Sequence, residues 1–290
     1  MSHRNTSRLA DASGTFALGG DLTVNRLGYG AMQLTGPGIW GEPKDPAEAV
    51  RVLRHAVELG INFIDTADSY GPFVSERLIR EALHPYSDDL VIATKGGVTR
   101  SGPDDWRPVG RPEYLRQQTE LSLRHLGVER IDLYQLHRID EKVPLADQLG
   151  ELVLLQQEGK IRHIGVSEVT IQQLKEARTF ADIASVQNLY NLANRSAEDV
   201  LEYAERENIA FIPWFPMATG ELARSGGPLD VAAKQHGASP SQLALAWLLH
   251  RSPVMLPIPG TSQTAHLEEN TQAARITLTD DEYDALASAV

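Results

Sequence analysis

The chain has 290 residues, a formal net charge of -12 and no cysteine. Such acidity argues against a nucleic-acid partner, whose affinity draws on clustered lysine and arginine. Without cysteine there is no disulfide framework, thiolate metal site or cysteine nucleophile. The longest purely apolar stretch, Leu243 to Leu249, falls far short of the roughly 20 residues that span a bilayer. A hydrophobic share of 42% supports a sizeable core, and the expected location is the cytoplasm. Met1 to Gly14 is polar and reads as a flexible tail, leaving residues 15–290 as one expected domain.

In chain order, Thr15 to Leu18 and Leu22 to Leu27 form a possible short hairpin. Eight runs of strand character follow: Leu27 to Gln33, Asn62 to Ala67, Leu90 to Lys95, Ile131 to His137, His163 to Ser167, Ser185 to Tyr190, Ala210 to Pro216 and Val254 to Gly260. The segments between them have helix chemistry. Asp45 caps, Pro46 opens the first turn and Glu48 completes a capping box, and similar starts occur at Thr170/Gln173, Ser239/Gln242 and Thr279/Glu282. Eight strands alternating with helices predict an α/β fold, a (β/α)8 TIM barrel preceded by the short N-terminal hairpin. A doubly wound sheet would carry a Gly-x-Gly-x-x-Gly turn after its first strand, but after Gly28 and Gly30 the third position is Gln33. Three long connections, Leu34 to Pro46, Val98 to Pro112 and Met217 to Pro228, all follow strands. They open on the face where barrels build their sites.

Asp65, Tyr70, Lys95 and His137 lie at or just beyond the C-terminal ends of strands two, three and four. Each alone has an ordinary structural explanation, as a cap, a packing aromatic, a solvent-reaching lysine or a core histidine. A barrel brings all four to one mouth in complementary roles. A tyrosine is a poor acid near neutrality unless a neighbouring cation stabilises its phenolate, which Lys95 can do. A desolvated lysine keeps its charge if a carboxylate such as Asp65 compensates it. His137 can donate a hydrogen bond to a substrate oxygen.

The stretch Gly60 to Gly71, GINFIDTADSYG, resembles the signature of the aldo-keto reductases. IDLYQLH (Ile131 to His137), GKIRHIGVS (Gly159 to Ser167) and IPGTSQTAHLEEN (Ile258 to Asn270) are similar to the family's further motifs, in the family's order. The resemblance, covering about Leu27 to Asn270, implies reduction of aldehydes or ketones by direct hydride transfer from a nicotinamide cofactor, without a metal. It assigns Tyr70 as general acid, Lys95 and Asp65 as its tuning pair, and His137 as the group orienting the substrate.

It further implies that Ser167 and Gln187 hold the nicotinamide carboxamide, that Trp214 stacks on the ring, and that Glu269 and Asn270 meet the adenine. Pro216, Met217, Gly220 and Leu222 would cover the pyrophosphate and Arg224 could donate a hydrogen bond to a phosphate, with Met32 and Gln33 also at the cofactor. Gly260, Thr261, Ser262 and Gln263 occupy the turn where many barrels hold phosphate at a helix N-terminus. Four positions depart from the family pattern: Glu168 for asparagine, Trp214 for tyrosine, and Gly260 and His266 for a lysine and an arginine that meet the 2'-phosphate of NADPH. NADP(H) is the expected cofactor on the family's habit, with NAD(H) as the alternative. Trp40 and Trp106 from the long loops, with Trp214 and Phe215 from strand seven, are expected to wall a substrate pocket suited to aromatic or pyridoxal-like carbonyls. The expected partner is this small molecule alone, with neither nucleic acid nor membrane, and the sequence is compatible with a monomer. A nicotinamide-binding regulatory barrel with little turnover is the rival reading.

Overall fold

The structure, a computed structural model, describes residues 8–217 and 228–288. Alternating apolar and polar residues in β1 (Thr15–Leu18) and β2 (Leu22–Asn25) build the N-terminal hairpin, burying Phe16, Leu18, Leu22 and Val24. Part of the segment expected to be a loose tail is packed. Leu9–Ser13 forms a 3-10 turn in which the Ala10 N–H donates to the Leu59 carbonyl at 2.9 Å and Ser13 Oγ accepts from the Leu27 N–H at 3.0 Å.

The barrel strands are β3 (Tyr29–Gly30), β4 (Phe63–Asp65), β5 (Val91–Gly96), β8 (Ile131–Leu136), β9 (Ile161–Ser167), β10 (Ile183–Leu189) and β11 (Ala210–Trp214), paired in parallel in that order. A small antiparallel pair, β6 (Val98–Thr99) and β7 (Arg107–Pro108), stiffens the loop after β5. The first barrel strand is shorter than the sequence suggests, because Ala31–Leu34 winds into a 3-10 turn.

The eighth expected strand, Val254 to Gly260, makes no regular ladder. Pro257 and Pro259 have no N–H to donate, which breaks the alternation a ladder needs. The segment nonetheless bonds both open edges. Phe211 exchanges backbone hydrogen bonds with Val254 and Leu256, and the Gly28 N–H donates to the Pro257 carbonyl. These contacts close the (β/α)8 barrel. Where the edges meet, a Cβ on Gly30 would lie 2.7 Å from the Ile258 carbonyl oxygen and one on Gly260 2.7 Å from that of Gly30, so glycine is required at both.

The helices are α1 (Pro46–Glu58), α2 (Val74–Leu83), α3 (Pro112–Leu126), α4 (Leu145–Gln157), α5 (Ile171–Ala177), α6 (Glu198–Arg206), α7 (Pro228–Gln235), α8 (Pro240–Arg251), α9 (Thr264–Gln272) and α10 (Asp280–Ser288). Reciprocal capping boxes form at Thr170/Gln173, Ser239/Gln242 and Thr279/Glu282. At α1 only half the expected box forms. Asp45 accepts from the Glu48 N–H, but the Glu48 carboxylate turns instead to Arg51 and to Thr264 at the start of α9. Among the described residues no helix is long and apolar enough to cross a membrane.

Candidate active site

The parallel register sets Asp65 on β4 beside Ala93 on β5, and Lys95 on β5 beside Gln135 on β8. Side chains two residues apart on a strand share a face, so Gln135 and His137 both point to the barrel mouth. Lys95, fully buried, donates from Nζ to Asp65 Oδ1 at 2.5 Å, to the Thr66 carbonyl at 2.9 Å and to Tyr70 Oη at 3.4 Å. Asp65 Oδ2 accepts from Gln135 Nε2 at 2.9 Å and Gln187 Nε2 at 3.0 Å. Both oxygens of that carboxylate thus accept from buried donors, which makes a buried ion pair tolerable.

The charge states follow. Burial works against the Lys95 ammonium, but Asp65 and Tyr70 together outweigh it and hold its pKa above the ordinary lysine value. For Tyr70 the outcome differs from the expected lowering: burial raises the phenol, and Lys95, although it pulls the other way, does not overcome it. The phenol therefore keeps its proton at neutral pH. His137 is held well below the usual histidine range by burial and then by the Lys95, Arg138 and Arg100 cations, so its imidazole is neutral. Its Nδ1 lies 3.2 Å from Ser69 Oγ.

One cavity of about 450 Å³ gathers most of the expected residues: Met32, Gln33, Asp65, Tyr70, Trp106, His137, Ser167, Gln187, Trp214, Pro216, Met217 and Gly260. Trp106 meets both Tyr70 and His137 edge to face, at 6.3 and 6.1 Å between ring centroids. Trp40 does not line this cavity. Its ring lies against the Arg100 guanidinium, and the neighbouring Ile39 takes the wall position.

Gly30, Ile39, Arg138 and Ile258 also line the cavity and were missed in the sequence, while Phe215 lines it as expected. Arg138 had a signal, since it directly follows His137 at a strand end. Gln135 had one too, two residues before His137. Ile39 lies on irregular backbone and has none.

Toward the far end of the expected cofactor path the match is looser. A second cavity of about 560 Å³ shares Met32, Gln33 and Ile39 with the first and reaches Lys44, Glu48 and Ser262. Thr261 is buried, its carbonyl accepting from Tyr29 Oη and its Oγ1 from the Gln263 N–H. The Thr264 N–H, among the first donors of α9, is taken by Glu48 Oε1 at 3.3 Å. A carboxylate thus already stands at that helix start, where an anion would gain most. His266 is exposed, Glu269 half-buried and Asn270 buried; none of them lines either cavity. Gly220, Leu222 and Arg224 lie outside the described residues.

Glu168, which stands where the family carries asparagine, has a task of its own in the structure. With φ at 54° it occupies the left-handed region, where asparagine is at home. Its Oε1 accepts from the Trp214 indole N–H and from the Leu189 N–H. The carboxylate holds the indole plane at the cavity wall.

The nicotinamide end fits these residues. Gln187 uses its NH₂ on Asp65 and Gln135 and leaves Oε1 as an acceptor, while Ser167 Oγ accepts from Arg138 and keeps its proton to donate. One acceptor and one donor are what a carboxamide complements. Trp214 offers a flat face beside them.

A parallel barrel with a buried Tyr–Lys–Asp set and a neutral histidine at its C-terminal mouth has the form of an oxidoreductase site. Residues 26–290 match the aldo/keto reductase family model, and the chain belongs to that family. It is 56% identical over 285 residues to an uncharacterized oxidoreductase of Schizosaccharomyces pombe, covering 98% of this chain and 92% of the relative. It is 46% identical over 276 residues to pyridoxine 4-dehydrogenase of Escherichia coli, covering 93% and 96%. Among solved structures, the aldo-keto reductase of Klebsiella pneumoniae in complex with NADPH superposes with a TM-score of 0.81 at 25% identity, over 94% of this chain and 93% of that one.

Proposed function

We propose that this protein is an NADP(H)-dependent reductase of aldehydes and ketones with Tyr70 as its proton donor, acting on aromatic or pyridoxal-like carbonyls. The observation that carries the reading is the chain of buried contacts from Asp65 through Lys95 to Tyr70 at the floor of the cavity. The NADPH complex of the Klebsiella relative supports the cofactor, and the kinship with pyridoxine 4-dehydrogenase supports a pyridine-ring substrate.

A reduced nicotinamide, when bound, supplies a hydride to the carbonyl carbon. Tyr70 gives its phenolic proton to the carbonyl oxygen, and Lys95 stabilises the phenolate left behind until solvent returns a proton. Asp65 keeps Lys95 cationic throughout. In the tautomer in which His137 Nδ1 accepts from Ser69 Oγ, the proton lies on Nε2, where it can hydrogen-bond the same oxygen and stabilise its developing charge. Trp106, Trp214 and Phe215 supply aromatic walls for a planar substrate.

NADPH oxidation followed at 340 nm with a panel of aromatic aldehydes and pyridoxal tests the proposal. Turnover is expected in the wild type, and Tyr70→Phe should abolish it while still binding cofactor. Wild-type turnover by Tyr70→Phe would refute the mechanism.

A further inference from the structure

Two arginines stand near the reacting end of the cavity, and they are used differently. The Arg100 guanidinium donates to the carbonyls of Gly38, Ile39, Ser69, Gly102 and Asp105 and lies 3.6 Å over the Trp106 ring. It is fully engaged in shaping the loops. Arg138 donates only from Nη1, to the His137 carbonyl at 2.8 Å and Ser167 Oγ at 3.2 Å.

Its Nε and Nη2 meet no acceptor among the described residues, and no described carboxylate stands within ion-pair distance. A guanidinium presents five N–H donors in a planar fork suited to two oxygens of one anion. Neither atom is sealed from solvent, so the unused edge of the fork is open to an anion that enters the cavity.

The surrounding charge points the same way. The chain as a whole is acidic at -12, yet Lys95, Arg138 and Arg100 all act on His137 at the cavity. Among the described residues the one carboxylate lining it, Asp65, is already paired with Lys95. Arg138 is thus the cavity-lining cation with no carboxylate at ion-pair distance among the described residues, with Glu168 acting on it from further off.

We propose that Arg138 anchors an anionic group of the substrate, so that the favoured substrates are aldehydes or ketones carrying a carboxylate or a phosphate. This rests on the carbonyl-reductase reading and names the substrate class of the same site. His137 and Arg138 both line the one cavity, so the reacting carbonyl and the anion belong to one small molecule. A carboxylate or phosphate monoester accepts from the free edge of the guanidinium while His137 and Tyr70 hold the carbonyl oxygen.

Matched pairs test it: 4-carboxybenzaldehyde against methyl 4-formylbenzoate, and pyridoxal 5'-phosphate against pyridoxal. In the wild type the acidic member of at least one pair should show a higher kcat/KM by roughly 10- to 100-fold, the range of one charge-assisted hydrogen-bonded pair. The pair that responds identifies carboxylate or phosphate as the recognised group. Arg138→Met should bring that ratio close to one, and Arg138→Lys should restore part of it. Calorimetric titration gives a readout without turnover: the anion of the responding pair, benzoate or phenyl phosphate, should bind more tightly than benzamide, and Arg138→Met should erase the difference.

Equal kcat/KM within both wild-type pairs overturns the inference while leaving the reductase reading intact. An equal loss for acidic and neutral substrates in Arg138→Met also overturns it, because Arg138 would then act on the developing oxyanion. No cofactor oxidation with any of the four compounds counts against the reductase reading itself.

Discussion

Glu76 is a carboxyl with no solvent exposure in the first turn of α2, and it offers a quantitative test of how this fold handles buried charge. Its Oε1 accepts from Thr94 Oγ1 at 2.6 Å, while its Oε2 has no hydrogen-bond partner. Burial pushes its pKa from 4.5 up to about 7. The folded state therefore holds a proton that the unfolded chain releases between those two values, and stability falls as pH rises through that window. A separation of 4.5 to about 7, at 1.36 kcal/mol per pH unit, corresponds to about 3 kcal/mol.

Glu76→Gln keeps an acceptor for Thr94 and cannot ionise, so it should escape this loss. Urea unfolding of wild type and variant at pH 4.5 and pH 8 supplies the comparison. The variant's stability relative to wild type should rise by about 3 kcal/mol between the two conditions. Asp68, also buried and raised first by burial and then by the Glu76 charge, loses the second influence in the variant, which adds to the effect in the same direction. A stability difference that is the same at both pH values would refute the reasoning.

Lys95→Met removes the cation from between Asp65 and Tyr70. The Tyr70 phenolate then loses its neighbour, and kcat should fall by roughly 10²-fold or more, with urea unfolding showing a loss of about 3 kcal/mol as Asp65 is left buried without its charge partner. Wild-type kcat in this variant would separate Lys95 from catalysis. Glu168→Ala frees the Trp214 indole N–H, and the cofactor dissociation constant read from tryptophan quenching should weaken by roughly tenfold, a fraction of the worth of a hydrogen bond to a charged group. Glu168→Gln, which retains an acceptor, should recover most of that affinity, and an unchanged constant in the alanine variant would remove Trp214 orientation from cofactor binding.

The barrel was legible where periodicity and composition act locally. Val91–Gly96 opens on β-branched residues and Ile131–Leu136 is mostly apolar between turn signals, so both read as strands from their own sequence. The first and eighth strands were less legible because their geometry depends on a partner far along the chain. Gly30 and Gly260 approach each other's backbones, and Pro257 and Pro259 interrupt the ladder there. Neither local propensity nor spacing reports that closure. Glu48 is a similar case: locally it completes a capping box, but Thr264, 216 residues away, offers its carboxylate a second use.

The same division runs through the site. Asp65, Tyr70, Lys95 and His137 stand out because polar residues at the ends of apolar strands have few ordinary reasons to be there. Trp40 and Ile39 differ by one position in an irregular loop, where no period decides which side chain faces the cavity. Glu168 and Trp214 each look like an isolated departure from a family pattern, yet the structure joins them by one hydrogen bond. The larger indole brings an N–H that a tyrosine lacks, and a carboxylate at 168 accepts it where a shorter amide would stop short. Two substitutions that weakened the match when taken separately thus form one compensated pair at the cavity wall. Departures from a family's pattern are therefore better weighed jointly, by the contacts the fold allows between them.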